Sequence, residues 1–241
     1  VSDELPPAAY RRILLKLSGE VLAGSAGWGI DYAEIKTICE ELVRASRLTQ
    51  LAIVIGGGNI FRGLDASRHG VDRVTADYAG MLATVMNSLI LQSVLESMGA
   101  QTRVQTAFEI RTIAEPYIRR RAIRHLEKGR LVIFSGGTGR PYFSTDTTAA
   151  LLATEVQADI LLKATKVDGI YTGDPSTQED ATLIKSITYR EILDRDLRIM
   201  DSEAITITRD NNVLIRVFNL KPPGNLAKVL RGEDVGSLVH A

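Results

Sequence analysis

Short unbroken apolar runs alternate along this chain with longer segments whose apolar residues recur at helical spacing. Such runs predict strands near 11–17, 51–55, 131–134, 159–163 and 214–218, and the alternation adds one near 102–106. Helices are expected between them, over about 31–47, 74–98, 115–128, 145–157, 189–194, 201–210 and 225–231. Local chemistry marks several ends. Asp31 and Glu34 have capping-box spacing, and Gly99 and Gly129 stand just past helix termini. Pro116 suits a first helical turn, and Thr145 or Asp146 supplies an N-cap. From Ala164 to Ser186 the pattern breaks into turns, signalled by Asp168-Gly169 and Gly173-Asp174-Pro175. Strand–helix alternation predicts one α/β domain over 1–241 with a mostly parallel sheet, its two halves parting near residue 160.

Three of the strands run straight into glycine. Arg12–Leu15 leads to Lys16-Leu17-Ser18-Gly19, Leu51–Ile55 to Gly56-Gly57-Gly58-Asn59, and Leu131–Phe134 to Ser135-Gly136-Gly137-Thr138-Gly139. Without a Cβ, backbone N–H groups approach an anion closely. Three such loops predict a long polyanionic ligand lying across the carboxyl edge of the sheet.

Composition narrows the class. Lys+Arg and Asp+Glu both number 29, so net charge provides no global pull toward nucleic acid or an anionic membrane. The single cysteine, Cys39, has no partner for an internal disulfide, which fits a reducing compartment; on a helix it reads as a small buried apolar residue. The acidic, proline-bearing start lacks the basic and apolar parts of a secretion signal and is expected to be loose. Residues 78–95 carry no charge and are long enough to span a bilayer, but they include Thr84, Asn87, Ser88, Gln92 and Ser93 and lack an aromatic belt. That segment reads as a helix buried in the domain or in a subunit interface. His69, His125 and His240 show no metal spacing.

Neither the Walker A pattern nor the dinucleotide G-x-G-x-x-G occurs, and the protein-kinase signatures are missing too. Four segments taken together resemble the bacterial UMP kinases (uridylate kinases) of the amino-acid-kinase superfamily: Lys16–Glu20, Ile55–Gly63, Thr138–Asp146 and Leu162–Tyr171. Met81–Asn87 and Ile215–Asn219 also look like family segments, and the resemblance runs from about Tyr10 to Val239 in the family's order. It implies a three-layer αβα sandwich with a mostly parallel central sheet. It also implies phosphoryl transfer from ATP to UMP with Mg2+, in the cytoplasm, by a homo-hexamer activated by GTP and inhibited by UTP.

The resemblance assigns residues as well. Lys16, Arg62, Asp146 and Asp201 would be catalytic, with Asp146 orienting the lysine. ATP would be bound by Lys16, Leu17, Ser18, Gly19, Gly58, Arg62, Lys163, Thr165, Tyr171 and Asp174. UMP would lie against Gly57, Asp77, Thr138, Gly139, Arg140, Pro141, Tyr142, Phe143, Ser144 and Thr145. The chemistry agrees with those types: a lysine at a glycine loop offers a point charge, and an arginine fork grips phosphate. Read plainly, Asp77, Asp146 and Asp201 also suit helix N-termini. Mg2+ is commonly held by phosphates and water, so no metal ligand is assigned.

Arg103 and Arg130 match positions implicated in GTP binding at subunit contacts, whereas Gln92, Glu96 and Arg119 depart from the family pattern. The segment from Gly24 to Gly29, with Trp28, is linked in the family to activation and otherwise reads as a hairpin tip. Arg119, Arg120, Arg121, Arg124 and Lys128 form the one basic cluster, read as a solvated helix face rather than a nucleic-acid patch. Two rival functions are a carboxylate or carbamate kinase of the same superfamily and a non-catalytic nucleotide sensor. The Thr138–Asp146 segment argues against the first, and the presence of Lys16, Arg62, Asp77 and Asp146 against the second.

Overall fold

The computed structural model describes residues 8–63, 69–175, 177–178, 180–197 and 199–241. The tail expected to be loose, residues 1–7, lies outside the described residues. The strands are β1 (Arg12–Leu17), β2 (Gln50–Ile55), β3 (Thr102–Thr106), β4 (Glu115–Pro116), β5 (Leu131–Ser135), β6 (Ile160–Thr165), β7 (Ile170–Tyr171), β8 (Leu183–Ile184), β9 (Ser186–Thr188), β10 (Leu214–Asn219) and β11 (Ser237–His240). The helices are α1 (Tyr32–Ser46), α2 (Arg73–Ser97), α3 (Arg119–Glu127), α4 (Thr145–Glu155), α5 (Tyr189–Asp194), α6 (Ser202–Asp210) and α7 (Asn225–Leu230). Nine strands form one sheet in the order β4-β3-β5-β2-β1-β6-β10-β11-β9, and β7 and β8 pair separately. Every neighbour in the large sheet is parallel except β10 with β11.

Alternation along β1 divides the core. Ile13, Leu15 and Leu17 enter one apolar cluster with side chains of α1, α2 and α7, while Leu14 enters another with α3, α4, α5 and α6. This makes the three-layer αβα sandwich. All six β1 residues are buried because helices cover both faces, which is why its centre, Ile13–Leu15, reads as an unbroken apolar run. Burying each of its large apolar side chains contributes about 1.5–3 kcal/mol. From β1, the chain builds outward to β2 on one side and to β6 on the other, with Ile13 registered against both Leu51 and Ile160. That reversal opens a crevice at the carboxyl ends of the strands, where the glycine loops sit.

Helix α2 is the one described helix long and apolar enough to cross a membrane. One of its sides packs on the sheet through Leu91 and Leu95, as expected for a core helix. Tyr78, Leu82 and Met86, spaced four apart, form an exposed stripe on the other side.

Several local expectations are corrected. Glu115 and Pro116 form an edge strand paired with Gln105 and Thr106, and α3 starts at Arg119. Proline disfavours helix in the residue before it and is tolerated at a sheet edge, where its missing N–H costs no ladder bond. Helix α4 is capped by Ser144, whose hydroxyl accepts from the N–H groups of Asp146 and Thr147, not by Thr145 or Asp146. Asp31 caps α1 as expected, accepting from Ala33 and Glu34. Asp77 lies a turn inside α2, whose cap is Asp72. Gly24–Gly29 is no hairpin tip. Gly19–Ala26 is a 3-10 segment, and Gly29 N–H donates to the Asn59 carbonyl at 2.7 Å. The turn-rich 164–186 region holds the small β7–β8 ladder, and β9 and β11 extend the sheet beyond the expected strands.

Candidate active site

The crevice contains a cavity of about 460 Å³ lined by all three glycine loops and by α2. Lys16, Ser18, Gly19, Gly57, Gly58, Arg62, Asp77, Phe143, Ser144 and Thr145 line it together, so the structure gathers residues assigned to both nucleotides. Leu17 is fully buried, and its carbonyl accepts from Gly56 N–H at 2.9 Å, tying the first two loops.

Two of the glycines are sterically required. A Cβ on Gly57 would lie 2.8 Å from both the Ala83 Cβ and the Gly80 carbonyl oxygen of α2. A Cβ on Gly19 would lie 2.5 Å from the Gly56 carbonyl oxygen. Loop and helix therefore touch backbone to backbone.

A buried amide pair fixes the second loop. Asn87 Nδ2 donates to the Gly56 carbonyl at 2.8 Å and to Asn59 Oδ1 at 2.7 Å, while Asn59 Nδ2 donates to the Gly29 carbonyl at 2.8 Å. Thr84 does the same for the third loop, accepting from Gly136 N–H at 2.8 Å. Sequence reasoning gave Asn59, Thr84 and Asn87 no role, although for Thr84 and Asn87 a polar residue in an otherwise apolar helix was the available signal.

The charged centre is Asp146. Lys16 Nζ lies 2.8 Å from one of its oxygens, and Lys163 Nζ donates to the other at 2.7 Å. Burial alone would raise the Asp146 pKa, but the adjacent Lys16 and Lys163 charges outweigh it and hold the carboxyl below its ordinary value. Burial lowers the Lys163 pKa, with the Asp146 charge opposing that fall. Lys163 also donates to the Ile199 carbonyl. Asp201 caps α6 through Ala204 N–H and accepts from Ser144 and from Thr147 Oγ1, the latter at 2.9 Å. Asp146, Lys163 and Asp201 line a second cavity of about 450 Å³. Asp201 thus binds the α4 and α6 N-termini together.

Other assigned residues are more dispersed. Tyr142 N–H donates to Asp77 Oδ2 at 2.8 Å, and Arg73 both bonds that carboxylate at 2.9 Å and stacks over the Tyr142 ring. The Asp77 carboxylate therefore pins the Gly139–Phe143 loop as well as facing the cavity. Thr138 lines a neighbouring cavity of about 160 Å³ with Gln105, Tyr117 and Phe134. Gly139, Arg140, Pro141 and Tyr142 line neither. Thr165 lines a cavity of about 570 Å³ with Glu20, Lys166 and Leu220. Tyr171, on β7, and Asp174, in the turn beyond it, line neither the Lys16 cavity nor the Thr165 cavity.

Arg103 and Arg130 lie at the far edge of the sheet, joined through a polar chain. Arg130 Nη1 donates to His125 Nδ1 at 3.0 Å, His125 Nε2 lies 3.0 Å from Glu115, and Arg103 approaches Glu115 and Glu96 at 3.9 Å. Because guanidinium can only donate, Nδ1 accepts and Nε2–H donates to Glu115.

No group of three or more metal-ligating side chains occurs among the described residues. The oxygens of Asp146 and Asp201 are already engaged by lysines, hydroxyls and a backbone N–H. The donor set fits a cation carried in on phosphates better than one resident in a protein cage.

Residues 11–219 match the family model of the amino acid kinase family. The chain is similar to the UMP kinase from Bacillus anthracis, at 40% identity and a TM-score of 0.93, covering 96% of each chain. It is similar to the UMP kinase from Ureaplasma parvum, at 33% identity and a TM-score of 0.91, covering 96% of this chain and 99% of that one. The uridylate kinase from Archaeoglobus fulgidus aligns at 28% identity with a TM-score of 0.73, over 95% of this chain and 99% of that one. The extent of these matches, and the mostly parallel sheet with its crevice of glycine loops, place the chain in the amino acid kinase family, among its UMP kinases.

Proposed function

We propose that this protein transfers the γ-phosphoryl group of ATP to UMP, giving ADP and UDP. The observation that carries the reading is the Lys16–Asp146–Lys163 bridge at the wall of a cavity lined by Gly57, Gly58 and Arg62. Phosphoryl transfer asks a protein to hold two polyanions in line and to stabilise charge on the moving group.

In this reading Asp146 fixes Lys16 where the transferring phosphoryl passes, while Arg62 and the Gly57 and Gly58 amides hold the phosphates. Lys163 faces the leaving β-phosphate. Asp201 positions the α4 N-terminus and, through it, Asp146. The acceptor UMP occupies the Asp77 side under the Thr138–Thr145 loop. ATP enters over Lys16, Leu17, Ser18 and Gly19, its nucleoside directed toward Thr165, Tyr171 and Asp174. Residues of about 10–160 thus serve mainly the acceptor, and those of 160–241 mainly ATP, within one domain. Mg2+ carried by ATP would supply charge neutralisation at its phosphates.

We further read the enzyme as a cytoplasmic homo-hexamer, activated by GTP near Arg103 and Arg130 and inhibited by UTP. The exposed Tyr78–Leu82–Met86 stripe supports self-association, and the lone buried Cys39 suits a reducing compartment. The sheet-edge chain from Arg103 to Arg130 gives the effector reading a connected set of side chains.

A coupled ADP-release assay with ATP-Mg and a panel of UMP, CMP, N-acetylglutamate and carbamate tests the activity. Turnover confined to UMP supports the reading. Turnover with a carboxylate or carbamate, or nucleotide binding without turnover, overturns it. Titrating GTP and UTP into the same assay tests the regulation, and light scattering tests the hexamer.

A further inference from the structure

Glu20 stands on the ridge between the cavity of Lys16 and the cavity of Thr165, lining both. Its two oxygens are divided between cations from different loops. Arg62 Nη2 donates to Oε1 at 2.8 Å, and Lys166 Nζ donates to Oε2 at 3.1 Å. Arg62 follows β2 and Lys166 follows β6, so one carboxylate draws together cations from either side of β1. Arg62 is fixed further by donating Nε–H to the Gly58 carbonyl at 3.2 Å.

A carboxylate that accepts from a guanidinium and an ammonium at once offers them what two phosphate oxygens would offer. All three side chains remain substantially exposed, at 36% for Glu20, 48% for Arg62 and 50% for Lys166, so solvent screens the pairs and a polyanion reaches them. A chain of phosphates joining the two cavities must cross this ridge.

We propose that Lys166 binds the polyphosphate of the donor nucleotide alongside Arg62, and that Glu20 is a positioning residue holding both cations in place until the phosphates displace it. Lys166 then makes its phosphate contact at the expense of the Glu20 bond. The inference rests on the kinase reading, which it deepens on the donor side. The Lys16–Asp146–Lys163 bridge is left intact by the exchange, because neither Glu20 nor Lys166 touches it.

Calorimetric titration of the full chain with ADP tests it. Glu20→Gln keeps the side-chain size and removes the competing charge, so ADP should bind roughly three- to tenfold more tightly. Lys166→Met alone should weaken ADP binding by a similar factor. In the Lys166→Met background, the gain from Glu20→Gln should shrink to less than half of its wild-type size. A gain fully retained there would mean that Glu20 acts only as bulk negative charge, and the exchange would be rejected. Unchanged or weaker ADP binding in Glu20→Gln would reject it as well. Glu20→Asp, which keeps the charge, should restore most of the wild-type affinity. In wild-type protein the Arg62 Nε–H resonance should move on saturation with ADP; a stationary resonance overturns the proposal without any variant. These measurements need no acceptor, so a failure to phosphorylate UMP would not be mistaken for their failure.

Discussion

Lys16 Nζ, at the end of β1, lies 2.8 Å from Asp146 Oδ1, in the first turn of α4. The two residues are 130 positions apart in sequence and meet because β1 lies inside the sheet with α4 packed across it. The contact turns a helix-terminal aspartate into the counter-ion of two lysines. Replacing Asp146 with Asn should lower kcat by about 10²–10³-fold, the usual loss when one preorganised electrostatic contact is removed. It should also lower Tm, since Lys16 and Lys163 are left buried without a neutralising charge. Steady-state kinetics and thermal unfolding of the same preparation separate the two effects.

Acid stability should carry the signature of the same residue. The Asp146 carboxyl titrates below its ordinary value of 3.8 in the folded protein. The unfolded chain therefore binds more protons in the window just below that value, and stability falls as pH falls through it. Above the ordinary value the contribution is fully present. Urea unfolding at a series of pH values should show a shallower acid loss in Asp146→Asn than in wild type. Parallel curves would remove Asp146 as the source.

Backbone contact between the second glycine loop and α2 should make Gly57→Ala costly. The added methyl meets a carbonyl oxygen and a Cβ, both at 2.8 Å, so loop or helix must move. A loss of about 1–3 kcal/mol is expected from overpacking, with a larger fall in kcat/KM for UMP than in Tm would imply. Asn87→Ala should cost a comparable amount by leaving the Gly56 carbonyl without the Asn87 amide. Denaturant titration checks both.

Cys39 should be inert in the native protein. Burial pushes its thiol pKa up to about 12, so almost no thiolate exists at neutral pH. A thiol-reactive chromophore at pH 8 should leave the folded protein unlabelled and react with one group per chain in guanidinium. Rapid labelling of the folded form would contradict the burial.

Much of this molecule was legible in its order of residues. Unbroken apolar runs marked the buried strands, since a parallel strand covered on both faces has no polar side to show. Glycine after three of the strands marked the loops of the crevice, and helix ends at Asp31, Gly99 and Gly129 followed from local backbone chemistry. Even the meeting of Lys16 with Asp146 was anticipated, through family likeness rather than through spacing. What remained hidden depends on distant partners. Pro116 looked like a helix start until the sheet supplied Thr106 as its edge partner. Asp146 looked equally like a cap, and only packing revealed that Ser144 takes that task and frees the carboxylate for two lysines. Asn59, Asn87 and Thr84 gained meaning only once α2 lay against the loops. Local sequence decides backbone conformation because it acts over a few bonds. The destinations of buried polar groups and charges are decided by the sheet order, which brings remote segments within hydrogen-bond reach.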